Sequence, residues 1–225
     1  MSDDKNRYEN ILCKLEEDSD VTMVSEDQTD CILTYYIKEI LTDDAHSRVV
    51  KAVEKLVRQS REYSEYIGLL RNNLNIKRCT FLKNCNDADA TIEFHHYPFT
   101  LYDVVEIVIN KYLLEKRPFS TFLIASEVLR LHYDNMVGLV PVSITVHQLT
   151  HAGELFINID QVFGYFQNFV MLYQQYMRNY HKKKYNEILE KSKQEVIEDS
   201  IVLRYTPLIL TPRNELEQLF SFELF

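Results

Sequence analysis

Glycine and proline are scarce, at four and five in 225 residues, which leaves little material for tight turns and favours long helices. The four cysteines, at 13, 31, 79 and 85, fall in no paired pattern, and no signal peptide precedes them. That argues against a disulfide framework and for a reduced, intracellular setting. No apolar run approaches the roughly 20 residues needed to cross a bilayer, so a soluble protein without a membrane partner is expected. There is no glycine-rich phosphate loop and no Ser-His-Asp order, which removes the commonest nucleotide-binding and acyl-transfer readings. Tryptophan is absent while tyrosine numbers 15, a bias with no function attached to it.

What is present is unevenly charged. The net charge is −9, of which −7 lies in the first thirty residues. The remainder is nearly neutral, and residues 48–83 carry nine basic groups against three acids. Overall acidity therefore does not exclude a polyanionic partner such as DNA. Lys51, Lys55 and Arg58 form a stripe on one helix face, and "HKKKY" at 181–185 is a second basic knot. A solvated face and a phosphate-facing surface are both open for each.

Five segments emerge. Residues 1–30 read as an acidic, weakly ordered arm, because such a composition cannot easily repay its ordering entropy. Residues 31–76 are helical: an apolar stretch from Cys31 to Leu41, then one long amphipathic helix from Asp43 to Leu74, with Val49, Val50, Val53, Leu56 and Val57 at helical spacing. Residues 77–160 form a mixed core. There, 77–84 and 90–96 alternate like the strands of a hairpin around the turn-rich "CNDADA". A helix follows Pro98, capped by Thr100 with Asp103 three residues on. Another, capped by Ser120, stops at Asp134-Asn135. "VGLVPVS" is a short buried strand, and a helix starts at Ser143 with Gly153 near its end. Residues 161–205 read as a long final helix with an apolar stripe of Phe163, Phe166, Val170, Tyr173 and Met177, and 206–225 as a hydrophobic tail. The fold class is α+β, mostly helical.

Histidine carries the chemistry. Two of the seven stand together, His95 and His96, in "IEFHHYPF". Two more, His147 and His151 in "TVHQLTH", are spaced by four, which puts both imidazoles on one helix face about a turn apart. That spacing is ligand geometry for a divalent metal, although satisfied core or surface histidines produce it too. Glu93, two residues before His95, shares its strand face and could orient a ligand imidazole. Cys79 and Cys85 read as buried thiols. His132 in "RLHYDN" could approach the site, although a helix-end histidine is the commoner reading, and His46 and His181 have no context.

"IEFHHYPF" followed by "NMVGLVPVSITVHQLTHAG" resembles the HNH, or His-Me finger, nucleases, and more narrowly HNH-like proteins of large tailed phages. The resemblance covers roughly residues 77–160 and implies a ββα-metal core. It implies His96 as the general base on water, with His95, His147 and His151 as metal ligands. A neutral imidazole can take a proton near neutrality, and a metal held by neutral ligands keeps its charge for the developing phosphorane. The implied activity is hydrolysis of DNA phosphodiester bonds in the host cytoplasm. The implied cofactor is a divalent ion such as zinc, nickel, manganese or magnesium. Two departures stand against it. The family's middle asparagine falls nine residues before His147, at Gly138, with Asn135 three residues earlier as a substitute. The two halves are also separated by about forty residues with two predicted helices, where HNH sites are compact. The alternative is therefore a lapsed HNH derivative acting as a structural (virion) component or as an interaction module for replication or transcription proteins. A lapsed site could bury His96 in hydrogen bonds. The tail "EQLFSFELF" resembles the Gln-Leu-x-x-Phe peptides that hold sliding clamps, with Gln218, Leu219, Phe220, Phe222 and Phe225 as anchors; docking of the tail onto its own core is equally open.

Overall fold

Val49, Val50, Val53 and Val57 are all buried, and they define the inward face of helix α1 (Asp43–Gln59). The computed structural model describes residues 34–35, 42–82 and 84–194 and is a mostly helical α+β fold. The acidic arm 1–30 and the tail residues Gln218, Leu219, Phe220, Phe222 and Phe225 lie outside the described residues.

The long helix expected from Asp43 to Leu74 is two helices, because Ser60 ends one and starts the next. Its hydroxyl donates to the carbonyl of Val57 (2.7 Å) and accepts from the backbone N–H of Tyr63 (3.1 Å), with its own backbone extended. A serine that satisfies orphan groups on both sides makes the break cheap. Helix α2 (Arg61–Asn72) follows, burying Tyr66 and Leu70.

Helix α3 (Leu101–Leu114) begins at the anticipated Thr100 cap, with Asp103 completing a capping box. It is buried on nearly every side, as its almost uniformly apolar sequence requires. Helix α4 (Thr121–Tyr133) is capped by Ser120 and closes at Asp134, with Asn135 at φ 56°. These helices pack with α1 and with α6 (Phe166–Tyr173) around one hydrophobic core that includes Phe99, Ile107, Ile124, Val128 and Phe169.

Two small antiparallel sheets complete the scaffold. Strand β1 (Thr34–Tyr35) pairs with β3 (Phe119–Ser120), so these two residues are extended where the sequence pattern predicts helix. The other sheet joins β2 (Ile92–His96) to β4 (Leu139–Ser143), with His95 opposite Val140 and His96 opposite Leu139. The hairpin expected between 77–84 and 90–96 does not form. Among the described residues of 77–84, the strand-like pairing is a lone Arg78–Asn86 bridge, while Thr80 donates from both its N–H and its hydroxyl to the carbonyl of Pro141. β4 is buried at all five residues and is the strand that most needs a paired neighbour.

Helix α5 (Ile144–His151) starts from the Ser143 cap, and Gly153 behind it takes φ 74°. Within the described part of the single long helix predicted over 161–205, which ends at residue 194, the chain forms instead α6, a short 3₁₀ turn (Gln174–Tyr176) and α7 (Asn179–Gln194). Met177 makes the break: it is 1% exposed and extended, locked in the core, while Asn110 donates to the carbonyl of Tyr176 at 3.3 Å.

Glu127 ties three helices together. Its buried carboxylate accepts from Lys111 Nζ (2.7 Å) and Tyr112 OH (2.8 Å) of α3 and from Tyr173 OH (2.6 Å) of α6. Burial opposes its charge, but the three donors outweigh that and hold the carboxyl below its usual range. Breaking a buried, hydrogen-bonded charge leaves its partners unpaired, so Glu127→Ala should lower unfolding free energy by about 3 kcal/mol. Urea titration reads this directly; a loss within about 0.5 kcal/mol, typical of surface positions, would show the network to be incidental.

Candidate functional site

Successive strand residues point to opposite faces, and that alternation decides what the paired histidines do. His95 faces α5. Its ring lies 4.9 Å from that of His147 and 5.1 Å from that of His151, centroid to centroid. One ligand nitrogen from each of the three can be chosen so that all lie within 4.8 Å of one another. His147 Nδ1–H donates to Glu93 Oε2 at 2.5 Å, which leaves its Nε2 turned towards His151 Nε2, 3.0 Å away. Glu93, His95, His147 and His151 are thus brought together, on two elements that abut because Ser143 ends β4 and caps α5. The cluster is graded in exposure, with His95 buried, His147 half-buried and His151 exposed. Burial, then the neighbouring His147 and His151, push His95 down to about 4, so its ring is neutral at ordinary pH.

His96 faces the other way, into the helical layer. It is 5% exposed, and its Nε2 lies 3.0 Å from Nε2 of His132, which is fully buried on α4. His132 Nδ1 is 2.7 Å from the carbonyl of Val128 and must donate to it, so its Nε2 accepts from His96 Nε2–H. Tyr63 stacks on His96 and meets His132 edge-on. Burial drives both pKa values down, His132 to about 4. The expected general base therefore does not join the other three histidines; it is one half of a buried pair. His132, which the sequence offers as a residue able to approach the site, is that partner, brought to His96 by its register on α4.

Asn135 sits just past the end of α4, where its N–H donates to the carbonyl of His132 and its carbonyl accepts from Tyr165 N–H. It holds that helix end rather than a histidine side chain. At Gly138 an added Cβ would stand 2.0 Å from the Tyr97 carbonyl oxygen, so no asparagine fits there.

A second polar cluster was not foreseen. Asp103 and Glu106, one turn apart on α3, are buried with His181 of α7. Arg178 meets Glu106 at 3.1 Å and Lys184 meets Asp103 at 2.7 Å, and the Tyr180 hydroxyl donates to Glu106. The spacing of two carboxylates inside an apolar helix was the available signal, since buried acids demand cations. Part of the "HKKKY" knot is thereby explained, with His181 and Lys184 turned to these acids while Lys182 and Lys183 stay exposed. Lys51, Lys55 and Arg58 are exposed on α1, and Arg58 pairs with Glu54. Cys79 is a buried thiol accepting from Ser143 N–H, and Cys85 is half-buried.

Among known proteins, the family described as Bacteriophage G278-like virion protein matches residues 1–211. The chain belongs to that family. No curated protein and no solved structure matches it. The resemblance of residues 77–160 to HNH nucleases is corrected by this result, because the G278-like family accounts for the same segment within a match along nearly the whole chain. The geometry agrees with the correction at each point that carried the resemblance. The two strand histidines diverge, the hairpin partner is different, and the asparagine position is sterically closed. Among the described residues, no helix of this G278-like protein is long and apolar enough to cross a membrane.

Proposed function

We propose that the chain is a structural component of the phage particle. Its membership of the G278-like virion family carries this reading. The burial of His96 against His132 supports it from the structural side, since a general base needs a lone pair within reach of its substrate. Several large apolar side chains also stand exposed, among them Phe122 and Leu123 at the start of α4 and Met171 and Leu172 on α6. Scattered exposed apolar groups are ordinary, but adjacent pairs of this size suit a chain that is covered on assembly.

Quantitative mass spectrometry of gradient-purified particles tests the proposal. The chain should be present at a fixed copy number per particle, comparable between preparations and resistant to a high-salt wash. Recovery only from the infected-cell lysate, with none in washed particles, would overturn it.

A further inference from the structure

We propose that His95, His147 and His151 form a binding site for one zinc-class transition-metal ion, which fastens the last turn of α5 to strand β2. The inference is independent of the role in the particle and would stand or fall without it.

Three observations converge. First, three imidazoles from two elements meet with ligand nitrogens no more than 4.8 Å apart. A tetrahedral ion with metal–nitrogen bonds of about 2.0–2.1 Å needs its ligand atoms roughly 3.3 Å apart, a small contraction. Second, the Glu93 carboxylate accepts a hydrogen bond from His147 Nδ1–H. That fixes the tautomer with the Nε2 lone pair facing His151, the carboxylate–histidine arrangement that orients metal ligands. Third, the donors are all neutral nitrogens. This set disfavours magnesium and calcium, which take oxygen ligands, and suits zinc, cobalt, nickel or copper. The exposed His151 gives an ion a way in from solvent, and the fourth position is left for water.

The other buried cluster lacks these features. Asp103, Glu106 and His181 already have Arg178 and Lys184 as counter-charges, so an added cation would meet a neutralised site. The staple also has a structural reason. α5 is eight residues long, below the length at which an isolated helix holds itself in water, and its one buried residue is Val146.

Calorimetry on the full chain, stripped with chelator and titrated with zinc chloride, tests the site. One ion per chain should bind with a Kd of about 1 μM or tighter, a moderate affinity beside structural zinc sites that have four protein ligands. At roughly a hundredfold excess over Kd, mass action should raise Tm by about 5–10 °C. Cobalt in place of zinc should give the intense visible bands of low-coordinate nitrogen ligation. His151→Ala, at an exposed position where folding is not at issue, should weaken binding at least about 100-fold and abolish those bands. Glu93→Gln should keep the stoichiometry and weaken binding by about 10–100-fold. No heat and no cobalt bands from the wild-type chain at 100-fold molar excess of ion would overturn the proposal. Undiminished binding in His151→Ala would overturn it too, because the ion would then sit elsewhere, as on Cys79 and Cys85.

Discussion

Gly138→Ala should lower the free energy of unfolding by about 3 kcal/mol or leave the chain insoluble, the upper range for forcing atoms into a packed interior. The added Cβ would lie 2.0 Å from the Tyr97 carbonyl oxygen and 2.8 Å from Val162 Cγ1. The first of these is backbone, not the mobile end of a side chain, and it belongs to a residue whose N–H donates to the Gly138 carbonyl at 3.0 Å. Relief would require prising apart the chains just beyond β2 and β4, where that bond continues the pairing of His96 with Leu139. Gly68 supplies the contrast within the same molecule. It lies inside α2 with nothing within 4 Å of a built Cβ, so Gly68→Ala should be stabilising by up to about 1 kcal/mol through helix propensity. Urea midpoints for the two variants, with unchanged slopes, decide the matter. A Gly138→Ala protein as stable as wild type would show that the strands can separate without cost. Gly138→Asn, which would restore the HNH pattern, should behave worse still.

How far the sequence could be read follows from which signals were local. The caps at Thr100, Ser120 and Ser143 are each decided by a side chain bonding a backbone group three residues on, and each stands where the sequence predicts it. The β4 strand and the placing of His147 beside His151 are legible for the same reason. Partner choice was not legible, because it is settled at long range. Ile92–His96 has a turn-rich neighbour close by in the chain, but pairs with Leu139–Ser143 across two intervening helices. Breaks in helices were missed where one residue is fixed by tertiary contacts, as Met177 is by the core, or serves two helices at once, as Ser60 does. The histidines show both cases. His95 joins the cluster that spacing points to, whereas His96 is claimed by His132, thirty-six residues away on a helix whose packing against β2 is settled at long range. The HNH resemblance failed at that step: a motif lists residue types along a strand, but strand alternation sends the two imidazoles to opposite faces.

Stability should fall steeply as the pH is lowered from 7 to 5, well before carboxylates titrate. Unfolded, the His96 and His132 rings titrate near pH 6.5. Folded, both are held lower, chiefly by burial; Arg58 adds to this in each case, and His132 also disfavours the charge on His96. Tyr63 and Tyr66 line the pair, and both are neutral throughout this range. A depressed folded pKa means that the unfolded chain binds more protons, so this contribution is complete above about pH 6.5 and drains away as the pH falls towards 4. For His132, held at about 4, the loss by pH 5 is about 2 kcal/mol, since each pKa unit is worth about 1.4 kcal/mol, and His96 adds to it in the same direction. The double variant His96→Phe/His132→Leu separates this from other acid effects. Replacing both polar partners together leaves none unpaired, so stability at pH 7.5 should change by no more than about 1.5 kcal/mol, while the pH slope falls to the part that His95, also held at about 4, contributes. His132→Leu alone should cost about 1–3 kcal/mol at pH 7.5, because His96 Nε2–H would be buried without an acceptor. Urea unfolding at half-unit steps from pH 7.5 to 5 reads all three proteins. A wild-type profile flat across that range would mean the pair reaches solvent or shares its proton freely, and with it would go the reason for setting His96 apart from the three-histidine cluster.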